Sequence, residues 1–157
     1  MKRTIIIVLA VFLACGAYAA KKNKELSFDK IGVGLIIGDP FGFTAKLWID
    51  DTNAIDAALA LNSTAKFHLQ ADYVWHNYDL LKVKASEDKL ALYYGPGALV
   101  RIAQDSSFVI GARGVFGVTY IFKDAPFDTF VELAPCVFIT PSMHLTLLGG
   151  LGARFYF

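Results

Sequence analysis

From position 31 to the end of the chain, apolar side chains recur at every second residue and the ionisable groups fall between them. That period is the alternation of side chains across a β-strand, and no stretch keeps the spacing of an amphipathic helix. Turn-forming residues divide the pattern into eight candidate strands, at 31–37, 42–49, 54–61, 66–78, 90–103, 107–122, 127–139 and 143–157. The breaks are Gly38-Asp39-Pro40, Asp50 to Asn53, Asn62 to Thr64, Asp79 to Lys89, Gln104 to Ser106, Lys123 to Pro126 and Thr140 to Ser142, rich in residues that favour reversals. Leu81 to Lys84 can instead prolong the fourth strand.

The two faces differ in kind. The eighth strand sets Met143, Leu145, Leu147, Leu151, Ala153, Phe155 and Phe157 against His144, Thr146, Arg154 and Tyr156. Aromatics of the apolar faces gather near strand ends (Phe67, Trp75, Phe108, Phe122, Phe127, Phe155), with small or aliphatic residues between. A soluble sheet packs its apolar face on a core. Here the polar faces mix single charges with Gly, Ala, Thr and Tyr, which suits an enclosed interior better than a solvated surface. The expected architecture is all-β: an eight-stranded antiparallel up-and-down transmembrane β-barrel, with an outward apolar band, aromatic girdles and a polar interior.

Energetics set the register. Lys46, Asp56, Asp72, Arg101, Arg113, Glu132 and Arg154 share the proposed inner face, four cations against three anions. A one-residue slip would turn them to lipid, at a cost of roughly 2–4 kcal/mol for each Arg or Lys at the midplane. His68, His76, Tyr93 and Tyr156 join them inside, and inward glycines leave room for long side chains. Eight strands enclose a space that side chains fill. Pro96 and Pro135 lie within strands and donate no ladder hydrogen bond, so bulges or irregular pairing are expected there.

The first residues read as an address. Lys2 and Arg3 precede an apolar run from Ile5 to Cys15, and Ala17-Tyr18-Ala19 has the form of a cleavage site. The domains are then a signal peptide at 1–19, a periplasmic leader at 20–30 and an outer-membrane barrel at 31–157. Cleavage removes two cations and takes the formal charge from +1 to −1, too nearly balanced for nucleic-acid binding. Cys136 is then the remaining cysteine, so no internal disulfide forms.

Catalysis is not expected. His68, Asp72 and His76 share a strand face, but residues eight apart along a strand are too distant to share one metal. Ser142 and His144 are close in sequence without an activating motif around them. No metal or cofactor is expected.

The terminal Ala153-Arg154-Phe155-Tyr156-Phe157 resembles the C-terminal signal of bacterial outer-membrane barrels, with Phe157 as its last residue. The mature chain resembles the small eight-stranded barrels of the OmpA transmembrane-domain and OmpX type. Gly38-Asp39-Pro40-Phe41-Gly42, Ala71 to His76, Tyr93 to Gly97, Phe130 to Pro135 and Thr140-Pro141-Ser142 resemble a family of uncharacterised small outer-membrane barrels. The resemblance implies the outer membrane of a Gram-negative bacterium, outer-membrane lipids and the barrel-assembly machinery as partners, a monomer, and a structural envelope role. Two alternatives stand beside it: a narrow pore for small solutes or ions, and a periplasmic lipocalin-like barrel with apolar faces turned inward to bind lipid. With both termini periplasmic, the external connections are short, which argues against a loop-borne adhesin.

Overall fold

The computed structural model describes residues 30–60, 65–80, 89–103, 105, 107–123, 125–140 and 142–157. The signal peptide, nearly all of the leader and the segment 81–84 lie outside the described residues. Eight strands run in order: β1 (Ile31–Asp39), β2 (Gly42–Trp48), β3 (Asn53–Ala60), β4 (Ala65–Asn77), β5 (Lys89–Ala103), β6 (Phe108–Ile121), β7 (Phe127–Phe138) and β8 (His144–Tyr156). Each pairs antiparallel with its sequence neighbour, and β1 pairs with β8 to close the barrel. The all-β, up-and-down expectation therefore holds, and the strand bounds shift from the sequence reading by only one or two residues at most ends.

The turn residues act as their chemistry requires. In the β2–β3 connection, Asp50 accepts hydrogen bonds from the Thr52 and Asn53 backbone N–H groups and from both their side chains. The Asn53 amide and the Thr52 N–H together hold its carboxyl at about 2, below the usual carboxylate range. Gly38 has φ +146°, and a Cβ there would collide with the Gly149 carbonyl and Gly150 on β8. The β1–β2 turn can thus bend inward, and Pro40 is fully buried at its tip.

Closure is staggered. Paired residues lead from Gly34 through Thr44, Ala58, Gln70, Leu99, Gly111 and Phe138 to His144 on β8. Gly34's direct partner across the closing seam is Arg154, ten residues along β8 from His144. A shift of ten over eight strands tilts the strands by roughly 40° from the barrel axis. The shift must be even, because an odd one would bring inward residues of β8 against outward residues of β1.

The stagger also leaves the two ends unequal. At the end that holds Ile31 and Tyr156 the strands finish nearly level. At the far end β1 makes its last pair with β8 at Asp39↔Gly149, and β8 continues alone on that side through His144–Leu148. β2 and β3 stop with the Gly42↔Ala60 pair, while β4 continues past His68 to Ala65. Among the described residues the wall over β1–β3 is lower than that over β4–β8 by roughly 10 Å, from the strand rise and tilt.

The prolines bring the irregular pairing expected of them, but no bulge. No register shift occurs at either, and the shift in the β4–β5 ladder lies between Ala65 and Phe67. The β4–β5 ladder lapses opposite Pro96, between Asp72↔Gly97 and Trp75↔Tyr94, and then resumes in the same register. The β6–β7 ladder lapses opposite Pro135 in the same way, between Arg113↔Cys136 and Phe116↔Leu133. Pairing on the other side of each proline is unbroken. Each ring therefore removes one donor without shifting the chain, since the flanking pairs hold it in place. Pro135→Val should restore a ladder bond and raise stability by about 1 kcal/mol, read from urea unfolding and from slower amide exchange in Ala134–Cys136. Unchanged exchange there would refute this account.

Candidate functional site

The interior is the only part of the barrel where charge, burial and hydrogen bonding converge among the described residues. It begins with a single row of paired residues: Lys46↔Asp56↔Asp72↔Gly97↔Arg113↔Cys136. Because row neighbours share parity, all six point inward. Gly97 separates Asp72 from Arg113, and a Cβ on it would collide with the Asp72 carboxylate. The missing side chain is what lets the guanidinium and carboxylate meet across the strand.

Three levels follow from the end that holds the termini. At the first, Lys46 Nζ lies 3.6 Å from Asp56 and donates to His76 Nε2 at 2.9 Å. It also sits over the rings of Trp48 and Tyr93. Arg154, 1% exposed, pairs with Asp56 at 3.3 Å and Asp128 at 3.5 Å and lies 3.8 Å over the Phe130 ring. The Tyr156 hydroxyl donates to Asp128 at 2.6 Å.

At the second level Arg113 is clamped between Asp72 and Glu132, each at 3.0 Å, and also donates to the Gln70 amide oxygen. The Tyr93 hydroxyl reaches Glu132 at 2.9 Å across Gly117, where a Cβ would strike the tyrosine ring. At the third level Arg101 donates to His68 Nδ1 at 2.9 Å and pairs with Asp39 at 3.0 Å, while His68 Nε2 bonds the Gln70 oxygen. Gln70 thus joins the second level to the third. The Asp39–Arg101 contact runs from the last residue of β1 to β5, on opposite sides of the far mouth.

The structure places all seven sequence-chosen charges inside, although Arg101 sits at the far rim and is only partly buried. His68, His76, Tyr93 and Tyr156 are inside and buried. Phe67 and Phe108 point outward near the far end, and Trp75, Phe122, Phe127 and Phe155 near the other. Phe127 and Phe155 face each other as a register pair, and Phe155 meets Phe157 edge-on at 5.3 Å. Cys136 is buried and unpaired by disulfide. His144 Nδ1 contacts the Ser142 carbonyl at 3.0 Å.

Sequence reasoning missed two acids. Asp128 is fully buried and is the register partner of Arg154. Its parity with Phe130 and Glu132 would have found it; its place just after a turn hid it. Asp39 was assigned to a break. With both, the four cations pair with five anions instead of three, four of them buried and Asp39 half-exposed at the mouth. The interior is also less polar than expected, since Ile36, Leu99, Val115, Phe138 and Leu148 pack there as an apolar plug.

No protein-family model matches this chain, and neither curated proteins nor solved structures yield a match.

Arg113→Ala should cost about 3–5 kcal/mol, because two buried carboxylates lose their cation, and Arg113→Ala with Glu132→Gln should recover part of it. Gly117→Ala should cost about 1–3 kcal/mol by displacing Tyr93. Combined with Tyr93→Ala, the glycine change should add far less than it does alone, as a double-mutant cycle in urea will report.

Proposed function

We propose that this chain is an integral outer-membrane β-barrel of the OmpA and OmpX type, with a structural envelope role and no catalysis. The observation that carries the reading is the inside-out distribution of charge. Among the described strand residues, no outward position between the aromatic groups bears a charge, while Lys46, Asp56, Asp72, Arg113, Asp128, Glu132 and Arg154 are buried inside. In water this arrangement would expose Phe43, Phe116, Leu133, Leu145, Leu147 and Leu151, each more than half accessible, on a continuous apolar belt. In a bilayer the same belt meets acyl chains.

Closure supports the reading as well, since in hydrocarbon each unsatisfied backbone group costs several kcal/mol and a barrel leaves few. The aromatics at the two ends match the girdles that flank the apolar band of membrane barrels. A lipocalin-like carrier needs its apolar faces turned inward, and here they turn outward. The lumen serves as scaffold: Arg113, Arg154 and Lys46 each tie together strands distant in sequence, and the apolar plug fills the space between.

Urea-unfolded protein should refold only when detergent or lipid is supplied, with gel mobility that shifts on heating, and should fractionate with the outer membrane. A folded monomer in plain buffer would overturn the reading. Planar bilayers carrying inserted protein should show no discrete conductance steps, because side chains block the lumen at all three levels.

A further inference from the structure

The barrel wall has one low side. Around β4–β8 the outward apolar surface runs from Phe67 and Phe108 down to Trp75, Tyr120 and Phe155, about the height of a bilayer's hydrocarbon band. Over β1–β3 it stops at Phe41 and Phe43, roughly 10 Å short. Above that step, His144–Leu148 of β8 has no strand partner on the β1 side among the described residues. Two or three of these residues must turn N–H and C=O groups toward the step, since successive strand residues alternate sides. Groups of that kind need polar partners at membrane depth.

Directly below the step lies a groove of about 510 Å³ on the outer face. Its floor is Ala45 and Ala57, a register pair, and its walls are Val33, Leu35, Phe43, Leu59 and Leu69. The groove contains no charged residue. From groove to step the surface changes from apolar side chains to the unpaired backbone edge of β8.

We propose that groove and step together form a docking site for one phosphate-bearing lipid of the leaflet at the far end, with an acyl chain along Ala45 and Ala57 and its phosphate sunk onto the β8 edge. This rests on the membrane reading above. Hydrophobic mismatch makes a lipid the occupant: where the wall is short the bilayer must thin or a headgroup must descend, and descent places acceptors beside the unpaired N–H groups.

The test uses the full mature chain in phosphatidylcholine vesicles containing a trace of phosphatidylglycerol with a photoreactive acyl chain. Irradiation followed by peptide mapping should label the β2–β3 segment at least fivefold more than the β6–β7 segment. Ala45→Phe with Ala57→Phe should abolish the preference. Ala98→Phe belongs to the same outward row but lies outside the groove. It should leave the preference intact, and so controls for a bulky outward ring. Even labelling of correctly inserted protein would mean an annular lipid only and would overturn the proposal. Failure to insert, seen as heat-insensitive gel mobility, would instead overturn the membrane reading.

Discussion

Ring closure of the backbone ladder governs everything else in this barrel. Once β1 is bonded to β8 with Gly34 opposite Arg154, each residue's face is fixed, because parity must survive a complete circuit of the wall. The inward position of Arg154 is therefore a consequence of hydrogen bonding seven strands away as much as of its own pairing. The charges do not choose the inside one by one; the ladder commits them together.

That commitment would be ruinous without compensation. A buried Arg or Asp loses hydration worth far more than a surface ion pair returns, and the loss is offset only when partners and geometry are complete. Here each cation has at least two partners, and aromatic rings cover Lys46 and Arg154 where oxygens do not. The two inward histidines repeat one device: a cation donates to one ring nitrogen, and the other nitrogen bonds an oxygen. Small residues matter as much as charged ones, since Gly97 and Gly117 open the gaps through which Arg113 and Tyr93 reach their acids. The resulting network links neighbouring and non-neighbouring strands alike.

The two prolines show how much local irregularity the ring absorbs. Both fall opposite Gly114, on β5 and β7. A free sheet edge with such defects would slip or fray, but here the flanking pairs and the closed circuit hold the register. The low wall over β1–β3 is another matter, because among the described residues no strand stands there to complete it.

Period-two patterning, cut by turn-forming residues, determined the number of strands, their bounds and which residues share a face, because parity is a local property that any window of six residues displays. It also named most of the buried charges, since an ionisable group on a strand has only two faces to choose from. Which acid meets which base was decided by the tertiary structure. Asp39 finds Arg101 only because a turn folds inward over the mouth, and Asp128 finds Arg154 only through the β7–β8 register. The apolar plug and the step in the wall arise likewise from the stagger of ten, a property of the closed ring that no single strand carries.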